Sequence, residues 1–151
     1  MSAIYTPSGL PDPDLDAEFY ADVTTKRFLA WVVDTIVTVL ICAVIVPFTA
    51  FTALFFLPFL YLVVNLIYRI VTLAGRSATP GMRLMAIEFR DRDGKLFDAG
   101  YATLHTLGYA ASVAMTPLQL VSIVLMLISP RGQGLTDHVL GTAAVNRAAR
   151  N

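Results

Sequence analysis

The sequence predicts an all-α polytopic membrane protein: an antiparallel transmembrane hairpin, a Pro-kinked or returning third apolar segment, and a small cytoplasmic β element. Three observations carry this prediction. Hydrophobic residues make up 56% of the 151 residues and charged residues 15%, where a soluble domain carries about 25% charged residues. Mean hydropathy is +0.67, a surplus of apolar surface too large for one small core to hide. The apolar residues are also clustered: no Asp, Glu, Lys or Arg occurs from Thr35 to Tyr68, or again from Tyr101 to Pro130. A formal net charge of zero argues against a nucleic-acid partner. A single cysteine, Cys42, excludes a disulfide framework.

Residues 1–26 read as an acidic cytoplasmic tail. Asp12, Asp14, Asp16, Glu18 and Asp22 stand where a signal peptide would carry positive charge, and no small-residue cleavage site follows the apolar run. A membrane domain follows over 27–147, with a short C-terminal tail at 148–151. A helical crossing of a hydrocarbon core of about 30 Å needs roughly 20 apolar residues, so the first charge-free run, extended back through Phe28, holds two spans. Pro47 is the natural break between them, which places the spans at about 28–46 and 51–73. The third apolar segment, 101–129, would measure about 43 Å as one helix, too long for an untilted crossing and too short for two. Pro117 near its middle either kinks one tilted helix or separates two half-helices that enter and return.

The loop between spans two and three has its own local order. Thr79-Pro80 fits an N-cap followed by Pro at the first helical position, opening a short turn over Gly81 to Leu84. Alternating apolar and polar residues over 85–90, followed by Asp93-Gly94, predict a short strand, and 142–146 is a candidate partner. Pairing of the two would favour the returning form of the third segment. Arg69, Arg76, Arg83, Arg90, Arg92 and Lys95 fill this loop, whereas the connection between spans one and two has no basic residue. With Lys26 and Arg27 at the mouth of span one and Arg131, Arg147 and Arg150 near the C-terminus, the positive-inside rule puts both termini and the loop in the cytoplasm.

Asp34 is the most informative residue, since an ionised Asp two turns inside a span costs roughly 2.5–3.5 kcal/mol on insertion scales. It shares a helix face with Arg27, Trp31 and Thr38. Span two carries a matching stripe of Tyr61, Asn65, Arg69 and Thr72. An Asp34–Arg69 pair, with Asn65 donating to the carboxylate, is therefore expected. It reads either as a protonatable site in an ion pathway or as a structural pair that fixes helix register. His105 reads as a solvated residue at a helix mouth or as a proton relay, and His138 as a surface residue. Gly108 and Ser112 form a small-xxx-small pair suited to packing. Two histidines and one cysteine in different segments give no metal-ligand spacing. No nucleophile-elbow, zincin or phosphate-loop pattern is present, so neither catalysis nor a cofactor is expected.

Three blocks in order resemble the RDD family of bacterial membrane proteins: Arg27-Phe28-Leu29-Ala30-Trp31 with Asp34, then Thr79-Pro80-Gly81-Met82-Arg83-Leu84, then Ser129 to Asp137. That family is named for an arginine at the start of its first membrane helix, an aspartate within it and a second aspartate. Arg27 and Asp34 match the first two, and Asp137 the third. The chain departs from the pattern in carrying Met82 where Lys is usual, Thr136 before Asp137 where His is common, and only His105 in the third segment. The resemblance implies a multi-pass protein of the bacterial cytoplasmic membrane with a suggested role in transport. Two functional expectations follow. One is a small ion-coupled (proton or cation) transporter or permease subunit, working as a homo-oligomer or with a partner membrane protein. Its polar network would be Arg27, Asp34, Asn65, Arg69 and Asp137, with His105 as relay and Thr79, Pro80, Gly81 and Arg83 as loop motif. The other is a non-transporting membrane scaffold or assembly module.

Overall fold

The structure, a computed structural model, describes residues 8–147. The expected tail at 148–151 and the first part of the acidic tail lie outside the described residues. Helix α1 runs Val23–Phe48 and α2 Leu57–Arg76, and both are long and apolar enough to cross a bilayer. On α1 the buried positions Ala30, Asp34, Thr38, Cys42 and Val46 recur every four residues. Phe28, Ile36, Leu40 and Val44 on other faces are exposed, as a bilayer-facing surface requires. The α1 helix starts ahead of the expected 28, and Pro47 lies inside its last turn rather than ending it. A proline removes only its own N–H bond and disturbs the turn before it, so the chain breaks later, where Ala50 and Phe51 adopt positive φ. A 3-10 turn at Thr52–Phe56 then leads into α2, which starts with Pro58 in its first turn.

Helix α2 ends at Ser77, and α3 follows at Pro80–Leu84. Thr79 caps α3 by accepting from the Met82 N–H at 3.2 Å, as its sequence predicts. Strand β1, Ile87–Arg90, pairs antiparallel with β2, Ala143–Asn146, with Ile87 opposite Asn146 and Arg90 opposite Ala143. Between the strands lie α4 (Ala99–Ala114), α5 (Thr116–Ile128) and α6 (Leu135–Leu140). The third apolar segment is thus two short helices bent by 116° at Met115. Pro117 in the first turn of α5 suits a helix start, where its missing N–H costs nothing.

The strand pairing ties both ends of this bent segment to the end of the hairpin where α1 begins and α2 finishes. The hydrophobic core sits there, built from Val23, Ala30, Leu73, Met82, Ile87, Phe89, Phe97 and Ala144. Ser77 fastens this junction, donating to the Phe89 carbonyl at 2.6 Å and accepting from the Phe97 N–H at 2.8 Å. The segment before α1 lies over the same layer: Gly9 donates to the Arg92 carbonyl at 2.9 Å. Asn146 Nδ2 reaches the carbonyls of Glu18 and Ala21 at 2.9 and 2.8 Å.

Candidate functional site

Asp34 is buried and takes three hydrogen bonds. Thr79 Oγ1 donates to its Oδ2 at 2.5 Å, while the Gly81 N–H and Tyr68 Oη donate to its Oδ1 at 2.8 and 2.7 Å. Hydrogen bonds to a charged group contribute about 1.5–3 kcal/mol each, so Asp34 clasps α3 onto α1 and α2. The contact is close enough to require glycine: a Cβ on Gly81 would stand 2.2 Å from the Ala30 carbonyl oxygen and 2.9 Å from the Asp34 carboxyl. Thr79, Pro80 and Gly81 therefore act together, through cap, helix start and close approach. Arg83, next along, keeps a buried Nε without a hydrogen-bond partner.

The expected Asp34–Arg69 pair does not form. The α3 turn brings its hydroxyl and its unbonded first-turn N–H directly onto the carboxylate, and Tyr68 takes the remaining approach from α2. Asn65 Nδ2 instead reaches Thr38 Oγ1 at 3.5 Å. The Arg69 guanidinium lies over the Tyr109 ring, 4.0 Å from its centroid.

Asp137 forms a second hub. Arg27 Nη1 donates to its Oδ2 at 2.6 Å and to the Gly132 carbonyl at 3.0 Å. His105 Nε2 bonds Oδ1 at 2.9 Å, Thr142 Oγ1 donates to Oδ1 at 2.7 Å, and the Gly134 N–H donates to Oδ2 at 3.0 Å. Burial pushes the Asp137 carboxyl up, but the Arg27 guanidinium and the His105 and Thr142 bonds together outweigh it and hold it well below the usual carboxylate range. His105 is therefore not solvated at a helix mouth. The sheet carries α6 back over α4, where Gly108 admits it: a Cβ there would meet Thr136 Cγ2 at 2.6 Å. His138, by contrast, is exposed, as expected for a surface residue.

The two hubs border one cavity of about 690 Å³ between α1, α4 and α5, whose polar wall includes Arg27, Asp34, Arg69, His105 and Asp137. Helix α1 bridges this gap at separate points, with Trp31 Nε1 donating to Tyr109 Oη at 2.8 Å and Thr24 Oγ1 to the Met126 carbonyl at 3.0 Å. Of the charged groups on the wall, Arg69 differs from the rest. It is buried to 7% exposure, and its guanidinium has no hydrogen bond or ion pair among the described residues. A second cavity, about 460 Å³ near Cys42, Val46 and Phe51, is lined almost wholly by apolar side chains. Among the described residues no group of three or more His, Cys, Asp or Glu is placed to hold a metal ion.

Sequence reading groups Arg27, Asp34, Asn65, Arg69 and Asp137 with His105, and in the structure all of these except Asn65 line one cavity. It misses Tyr68, Tyr109 and Thr142. The signals were present, since Tyr68 adjoins Arg69, Tyr109 lies one helical turn after His105, and Thr142 follows the Gly141 that ends α6.

No curated protein and no solved structure matches the chain. The model of the RDD family does, over residues 21–141. The matched stretch contains the helix hairpin, the α3 clasp, the bent segment and Asp137, so it covers the cavity and both hubs except for Thr142. The chain belongs to the RDD family.

Proposed function

We propose that this integral membrane protein is a small ion-coupled permease, or the permease subunit of an oligomer, with its solute site in the cavity beside Arg69. One observation carries the reading: a cavity of about 690 Å³ with a buried arginine on its wall whose guanidinium makes no hydrogen bond among the described residues. An uncompensated buried charge is costly, and the same fold satisfies Asp34 and Asp137 fully. On this reading the solute meets Arg69. Proton exchange falls to His105, whose Nε2 is fixed by Asp137 and whose buried Nδ1 has no partner. Asp34 becomes a positioning residue rather than the titrating group.

Two long helices and a bent pair cannot enclose a path across a bilayer, and most of their large apolar side chains face outward. The proposal therefore includes a homo-oligomer or a partner membrane protein. It sets the sheet end of the molecule in the cytoplasm of a bacterial cell. Arg27, Arg76, Arg83 and Arg131 support this, while the connection from α1 to α2 carries no charge. No catalytic role or cofactor is part of it. A second reading, a membrane scaffold that docks a partner, is favoured by Leu84 and Val139, which stand 70% and 71% exposed on the layer outside the long helices.

The test uses purified protein in sealed liposomes containing a pH-sensitive dye, under imposed Na⁺, K⁺ and pH gradients. Cation-dependent proton movement that disappears in folded His105→Gln supports the permease. No movement with well-folded wild-type protein contradicts it and turns attention to partner docking.

A further inference from the structure

We infer that the cavity takes an anionic amphiphile: a compact acidic head, carboxylate or phosphate, on Arg69, and an acyl chain lying between α1 and α5. The inference rests on the cavity being a binding site, and it adds the chemistry of the ligand.

The head group follows from what the cavity wall leaves unused. A guanidinium has five N–H donors and no acceptor, and none of those on Arg69 is bonded among the described residues. The other charges are already committed. Arg27 and Asp137 neutralise each other at 2.6 Å, and both oxygens of Asp34 are occupied by Thr79, Gly81 and Tyr68. Tyr109 meets the guanidinium with its ring, 4.0 Å from the centroid, a cation–π contact that supplies no anionic oxygen. A planar fork of donors in a desolvated setting suits a bidentate oxyanion. The quaternary ammonium of a zwitterionic lipid would instead bring a second cation towards it.

The tail follows from the opposite wall. Phe28, Val113, Ile123 and Leu127 line the cavity, and each is also substantially exposed. The cavity thus opens sideways, through a face that meets acyl chains when the long helices span a bilayer. A ligand arriving from the membrane can slide its head to Arg69 while its chain never leaves apolar surroundings. The volume of about 690 Å³ lies within the range of roughly 300–1,000 Å³ usual for small-molecule sites.

Trp31 is the single tryptophan of the chain and lines this cavity, so it reports occupancy directly. Full-length protein in an uncharged maltoside detergent is titrated with brominated fatty acid, brominated phosphatidylglycerol and brominated phosphatidylcholine, and Trp31 quenching is followed. Saturable quenching by the anionic amphiphiles, with none by phosphatidylcholine and no competition from inorganic phosphate, supports the inference. The tighter of the two anionic ligands identifies the source, a free amphiphilic acid or a bilayer lipid. Arg69→Gln should weaken saturable binding at least tenfold while helicity is retained. Should that variant not fold, Val113→Phe, which narrows the apolar wall, should lower affinity with Arg69 in place. Equal or unsaturable quenching by all three lipids overturns the inference, as does binding that neither substitution changes. Flux measured with the same variants in neutral-lipid liposomes separates the two ideas: flux lost in Arg69→Gln without anionic preference defeats only the ligand class. Flux insensitive to both His105 and Arg69 removes the assigned site and relay, and no flux in well-folded wild type defeats the permease reading itself.

Discussion

Asp137 and Arg69 are both buried charges in the same small domain, and the chain treats them in opposite ways. Asp137 receives Arg27, His105, Thr142 and the Gly134 N–H, so α1, α4 and both flanks of α6 converge on one carboxylate. Among the described residues the Arg69 guanidinium has only the ring of Tyr109 against it. The Asp137 and Asp34 hubs lie where helix ends, sheet and loops meet, and there both carboxylates are used to hold segments together. The Arg69 wall lies where α1 stands away from α4 and α5, and there the donors remain open. The carboxylates that specify the fold are saturated, and a charge kept for a ligand is not.

The comparison can be broken at its strong end first. Asp137→Asn removes the counter-charge of the largely covered Arg27 and should cost about 3–5 kcal/mol in an unfolding titration in detergent. A loss below about 1 kcal/mol would mean that the hub does not organise the fold. Gly81→Ala comes next. Its new Cβ collides with the Ala30 backbone, and overpacking of this kind costs about 1–3 kcal/mol. Wild-type thermal stability would rule out the clasp as described.

The pH dependence sharpens the same contrast. Asp137 has its folded-state pKa lowered by Arg27 and its other donors. Its contribution is therefore fully present above the unfolded value of about 3.9 and is lost as pH falls through the folded value. Unfolding temperature should drop on acidification below about pH 4, and this dependence should be weaker in Asp137→Asn. An equally steep acid limb in the variant would place the titration elsewhere.

Much of this architecture is legible in the sequence because it follows from local rules. The two charge-free runs mark the hairpin and the bent segment, Thr79-Pro80 marks the start of α3, and the alternation before Asp93-Gly94 marks β1. Pro117 signals a break, but only the β1–β2 pairing gives the bend its direction. The partner of Asp34 was misread for a physical reason. Stripe matching considers side chains on two helices, whereas the closest donors are a hydroxyl and a backbone N–H on a loop forty-odd residues away in sequence. The clue lay in Pro80-Gly81, since a helix that starts there has unbonded N–H groups and no Cβ to keep a carboxylate at a distance. The sequence leaves His105 between a solvated mouth residue and a relay because periodicity says nothing about depth, which here is set by α6 folding back over Gly108.

The most direct test of the contrast is the unfolding temperature of Arg69→Gln beside that of Asp137→Asn, in the same detergent and without added lipid. If Arg69 is kept for a ligand, Arg69→Gln should match or exceed the wild type while Asp137→Asn falls steeply. A loss in Arg69→Gln as large as that in Asp137→Asn would make Arg69 a structural charge and contradict the account.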